Sequence, residues 1–89
     1  MAILSMFYGI IISMFYGDDK QHKLPHIHAQ YQEFEAIFSI PDGEMINGSL
    51  PQKKIRLVQA WIVMHEEELM ANWELATNEK NIFKIDPLK

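Results

Sequence analysis

Residues 25–40 read Pro25-His26-Ile27-His28-Ala29-Gln30-Tyr31-Gln32-Glu33-Phe34-Glu35-Ala36-Ile37-Phe38-Ser39-Ile40. Two runs of alternating residues flank Gln32-Glu33, which is the signature of a hairpin. A two-residue turn there fixes the register. Tyr31 then faces Phe34, Ala29 faces Ala36 and Ile27 faces Phe38, so these pairs make one apolar face. The other face carries Gln30 with Glu35, His28 with Ile37 and His26 with Ser39. A slip of one residue would mix the faces, so the pattern selects this pairing. Pro25 opens the first strand, where a missing N–H does least harm.

Upstream, Ser5-Met6-Phe7-Tyr8-Gly9 recurs as Ser13-Met14-Phe15-Tyr16-Gly17. The sequence predicts strands over Ile3 to Phe7 and Ile10 to Tyr16, joined at Tyr8-Gly9. A single strand bulged at Gly9 is the competing reading. The run from Ile3 to Gly17 is uncharged, but no Lys or Arg precedes it. It falls short of the roughly 20 residues a membrane-spanning helix needs. The polar stretch from Gly17 to Leu24 reads as a loop. Downstream, Pro41-Asp42-Gly43 reads as a turn and Met45 to Gly48 as one more short strand.

Ser49 and Gln52 have capping-box spacing, with Pro51 in the first turn. No Gly or Pro follows up to Thr77. The expectation is one long helix over 49–78, straight or kinked, or two helices with a kink. Ile55, Val58, Ile62, Leu69, Trp73 and Ala76 form its core stripe, flanked by Trp61. Residues 1–48 then make an antiparallel sheet of about 4–5 strands, and residues 79–89 an extended tail. The class is α+β, a single domain over 1–89 with the helix on one face of the sheet.

Composition narrows the chemistry. The chain has 89 residues, a formal net charge of −4 and no Cys. A disulfide scaffold, a thiolate zinc site and a cysteine nucleophile are excluded. One domain of this size buries a modest fraction of its surface, which makes a partner chain plausible. A cytoplasmic location is the default reading.

His22, His26 and His28 form the sharpest chemical signal. His26 and His28 lie two apart on a strand and share a side, expected to be the one away from the helix. His22, on the preceding loop, can fold back. Three imidazoles can hold a divalent transition metal such as Zn²⁺ and leave a position for water. Glu35, on the same face, can orient a His or act as a base. Without a metal, His22, His26, His28 and Glu35 make a binding or proton-transfer surface, or are solvated residues or residues that cap the backbone by hydrogen bonds. His65, within the core stripe, reads as a satisfied core histidine. Glu66, Glu67 and Glu68 read as a solvated face, Glu66 nearest the sheet.

Leu57, Met64, Ala71 and Leu75 lie opposite the core stripe, with Ala60 nearby. One sheet cannot cover both sides of one helix, so Leu57, Met64 and Leu75 are candidate interface residues for a homodimer or a small protein partner. Lys53, Lys54 and Arg56 occupy the first helical turns, against the macrodipole, and can mark an anion site. The acidic overall balance disfavours nucleic acid as the partner.

Phe7-Tyr8-Gly9-Ile10-Ile11-Ile12, Pro25-His26-Ile27-His28-Ala29 with Tyr31, Gly48-x-Leu50-Pro51, Trp61, Glu68-Leu69, Trp73-Glu74 and Ile85-Asp86-Pro87-Leu88 resemble a family of small bacterial proteins, the domain-of-unknown-function family 4160. The resemblance implies a small cytoplasmic protein without an established activity. It also implies partner-binding or toxin–antitoxin-like roles, because members are often encoded beside another small protein. The family's Asp-His and double Pro are altered here, so His26 and His28 are the pair that carries over. Two readings follow: a non-enzymatic interaction module, and a metal-dependent, hydrolytic site on the His-x-His strand.

Overall fold

The computed structural model describes residues 2–15 and 24–89. His22 and the polar stretch around it lie outside the described residues. Among the described residues, five antiparallel strands form one sheet in sequence order: β1 (Ala2–Phe7), β2 (Ile10–Met14), β3 (His26–Tyr31), β4 (Phe34–Ser39) and β5 (Met45–Gly48). Two helices follow, α1 (Gln52–Met64) and α2 (Glu66–Thr77).

The central hairpin has the register that its alternation demands. All six pairs form, from His26 with Ser39 to Tyr31 with Phe34. The β1–β2 connection is a tight turn, not a bulge within one strand. Tyr8 and Gly9 both take positive φ, 50° and 79°. Hairpin turns of this length favour that geometry because it matches the twist of the strands. The Lys54 Nζ donates to the Tyr8 carbonyl at 3.0 Å and sits 4.6 Å from the Tyr31 ring centroid, tying this turn to α1.

Both edge strands are irregular. Ser13 and Ile12 pair with Ile3 and Ser5, so Leu4 is an extra residue on β1. Ile37 and Phe38 pair with Asn47 and Met45, so Ile46 is the extra residue on β5. Gly48 has φ 78°, and a Cβ there would lie 2.2 Å from the Glu35 carbonyl oxygen. Only glycine lets β5 approach β4 this closely.

Two helices form in place of the single long helix over 49–78. The helical run breaks at His65, whose φ of −130° and ψ of 31° leave the helical region. Its N–H bonds to Ile62, and its carbonyl accepts from Leu69. The Ser49–Gln52 capping box is also absent: α1 starts after Pro51, with no side-chain cap bond. Pro51 carbonyl accepts from the Lys54 and Ile55 N–H groups and opens the helix through the backbone alone.

The core stripe is largely as expected. Val58, Trp61, Ile62, Leu69, Trp73 and Ala76 are buried with Ile12, Ile27, Ala29, Ala36 and Phe38 of the sheet, while Ile55 is half-buried against them. Trp61 packs on Phe7, centroids 5.3 Å apart. The tail closes the β1 side. Ile85 is buried, its N–H donates to the Leu4 carbonyl at 2.9 Å, and the Trp61 Nε1 donates to the Asp86 carbonyl at 2.8 Å. No helix among the described residues is long and apolar enough to cross a membrane.

Candidate functional site

Two surfaces hold the residues singled out by the sequence. The first is the sheet face built by alternation around His28. Ser13 and Ile37 are its neighbours on β2 and β4, and Asn47 follows Ile37 on β5. Phe15 lies two residues beyond Ser13, on the same side by alternation. Its ring stacks on the His28 imidazole, centroids 4.3 Å apart and planes within 9°. Glu35 approaches diagonally, its Oε2 3.6 Å from the His28 Nδ1. That separation is an ion pair only while the imidazole is protonated. A shallow pocket of about 280 Å³ lies here, lined by His28, Glu35, Ile37, Asn47 and Gly48.

His26 is different. The expectation that both strand histidines point away from the helices fails for it. Its side chain is buried, 1% exposed, with its ring 5.1 Å from that of Trp73 on α2. Its Nδ1 lies 2.8 Å from the Leu24 carbonyl. A carbonyl only accepts, so the proton of this bond is on Nδ1. The rings of His26 and His28 meet edge to face, centroids 5.3 Å apart. The structure therefore brings His26, His28 and Glu35 to one region, while His22 lies outside the described residues. Among the described residues, no group of three or more His, Asp or Glu side chains is placed to hold a metal ion.

The second surface is the outer side of the helices. Met64 is 65% exposed and Val63 64%. Ala60 and Ala71 are exposed, and Leu57 and Leu75 are half-buried. Because the helix breaks at His65, Leu57 and Met64 belong to α1 and Ala71 and Leu75 to α2. Lys53, Arg56, Glu66, Glu67 and Glu68 are exposed on the same helices. His65 is half-buried at the break, with its Nδ1 2.6 Å from Glu68 Oε1 and its ring 5.4 Å from Trp61. Thus Glu68, not Glu66, is the glutamate with a defined partner.

Sequence reasoning missed Phe15, Val63 and Asn72. Phe15 was legible through the β2–β3 register. Val63 follows Ala60 at helical spacing. The fully buried Asn72 had no local signal, since its partner is the backbone of Phe83 eleven residues on.

The architecture is thus an α+β domain, an antiparallel sheet backed by two short helices. A family model described as "Domain of unknown function (DUF4160)" matches residues 9–74, and the chain belongs to that family. No curated protein and no solved structure gives a significant match.

Proposed function

We propose that this chain is a non-enzymatic protein-interaction module that binds through the outer surface of its helices, in the manner of a small toxin–antitoxin-like partner protein. The supporting observation is the adjacent pair Val63 and Met64, the two most exposed large apolar side chains among the described residues. Two neighbouring apolar groups left in water at the end of a packed helix mark a contact surface more strongly than scattered ones. Leu57, Ala60, Ala71 and Leu75 extend the patch along both helices. The test compares the wild type with Val63→Lys/Met64→Lys by sedimentation and by capture from the native host. The expected result is an association that the double variant loses while its thermal midpoint stays unchanged. Association indifferent to the variant, or none of either kind, overturns the reading.

A second reading is a divalent transition-metal site in which His26 and His28 supply two ligands, with His22, outside the described residues, as the further candidate. It is favoured by the 5.3 Å approach of the two imidazoles on one strand. Metal content of untagged protein, compared between wild type and His28→Ala, tests it. Stoichiometric metal lost in the variant supports the site. No metal after supplementation rejects it.

A further inference from the structure

We infer that the partner taken by the α1 surface is a second copy of this chain, packed with the two α1 helices antiparallel about a two-fold axis near Ala60. This rests on the interaction-module reading and names its partner. Along α1 the outward residues are Lys53, Arg56, Ala60, Val63 and Met64, with Leu57 at the margin, packed in part against the core, and the stripe runs out at the glutamates that open α2. All are exposed except the half-buried Leu57. They recur at three- and four-residue intervals, so they make one stripe on one side of the helix.

The order of chemistry along the stripe is what selects the partner. It begins basic, is apolar in the middle and ends acidic. Such a stripe complements itself only when turned end for end. An antiparallel copy centred on Ala60 places Leu57 beside the partner's Val63, with Ala60 of each copy where the helices cross, and brings the basic first turn of α1 to the end of the partner's α1, where α2 opens with Glu66 and Glu67. Two-fold interfaces are built from one patch that fits itself in this way.

A local anomaly of the sequence points the same way. The first turn of α1 has no acidic residue and begins with cations, which oppose the helix macrodipole. The first turn of α2 carries three carboxylates, and among the described residues Glu68 alone of the three has a side-chain partner, His65. In the antiparallel pair, each copy's Glu66 and Glu67 sit at the other's α1 N-terminus. There they offset both the cations and the unpaired N–H groups. The arrangement explains why the chain tolerates a charge pattern that is unfavourable in a lone helix.

Two charge-reversed variants test this: Lys53→Glu/Arg56→Glu and Glu66→Lys/Glu67→Lys. A helix of this length gives a small interface, so sedimentation should span roughly 1 μM to 1 mM. The wild type is expected to dimerise within that range. Each variant alone should associate at least about tenfold more weakly, and an equimolar mixture should recover a heterodimer. Lys53→Glu/Arg56→Glu is informative for a second reason. It improves the α1 N-terminus, so its thermal midpoint at low concentration should equal or exceed that of the wild type even as dimerisation is lost. A chain that stays monomeric at 1 mM, or a dimer indifferent to both reversals, overturns the second copy as partner. If the wild type is monomeric but binds a different protein through Val63 and Met64, only the identity of the partner fails. If neither association occurs, the interaction-module reading fails with it.

Discussion

The side-chain amide of Asn72 holds the backbone of Phe83 by both ends: its Nδ2 donates to the Phe83 carbonyl and its Oδ1 accepts from the Phe83 N–H, each at 2.9 Å. Asn72 is fully buried on α2, so it acts as a one-residue strand that the tail pairs with. Asn72→Ala leaves both groups of Phe83 without this partner. Phe83 is partly exposed, so water replaces some of the loss, and we expect about 1.5–3 kcal/mol of destabilisation by urea unfolding. A change below about 0.5 kcal/mol would mean that the pair does not hold the tail.

The tail also contributes through Ile85, buried beside Leu4. Ile85→Ala should cost about 2–4 kcal/mol, the range for emptying an aliphatic core site. Removing residues 82–89 should do more, because it also strips partners from the Trp61 Nε1, the Asn72 amide and the Leu4 carbonyl. Equal unfolding midpoints for the truncated and intact chains would contradict this packing.

Gly48 and Gly43 provide a matched pair of glycines. Both have positive φ, but a Cβ at Gly43 would meet Ile62 side-chain carbons at an ordinary 3.7 Å, whereas at Gly48 it would strike the Glu35 carbonyl. Gly43→Ala should therefore cost only the left-handed backbone penalty, about 1–2 kcal/mol. Gly48→Ala should cost clearly more and speed hydrogen exchange at Ser49, whose N–H donates to that same Glu35 carbonyl. Equal costs at the two sites would show that β5 can move aside.

His26 and His28 should separate under substitution despite being two residues apart. His28→Ala removes a side chain that is 11% exposed and stacked on Phe15, and should cost about 1 kcal/mol, so the folded variant can be read for metal or ligand binding. His26→Ala empties a buried site against Trp73 and should lower stability by about 1–3 kcal/mol. Trp73→Ala, which removes the ring covering His26, should cost about 3–5 kcal/mol. Chemical denaturation of the three variants gives the order. A His26→Ala protein as stable as His28→Ala would show that His26 is not part of the packed core.

The parts of the fold that were legible are those written in short-range patterns. Ile27, Ala29 and Tyr31 alternate with His26, His28 and Gln30, and one two-residue turn then dictates six pairings. The Tyr8-Gly9 turn was legible from Gly9 even without an Asn-Gly signature, since Tyr8 accepts the second left-handed position. The break at His65 was not legible, because no Gly or Pro marks it. A histidine leaves the helical region there, and its bond to Glu68 and contact with Trp61 depend on the finished fold. The Ser49 cap failed for a related reason: the chain enters α1 through Pro51, and the Pro51 carbonyl takes over the opening of the helix. A backbone hydrogen bond was among the readings of the strand histidines, but the contact of His26 with α2 was not, because the outward face was expected to lie clear of the helix. The alternation of His26 was right, yet Trp73 and the Leu24 carbonyl give an imidazole both an apolar neighbour and a hydrogen bond, which makes its burial affordable.

The extra residues Leu4 and Ile46 have a consequence for the behaviour of the chain in bulk. A five-stranded sheet with two regular borders would invite another sheet to add on, and then another, into fibres. Here each border is kinked out of register by one residue, and the tail lies along the β1 side as well. Growth by strand addition is frustrated at both ends. Concentrated solutions should therefore stay clear of thioflavin-positive aggregates while the native state persists, and any self-association should stop at a closed, finite size.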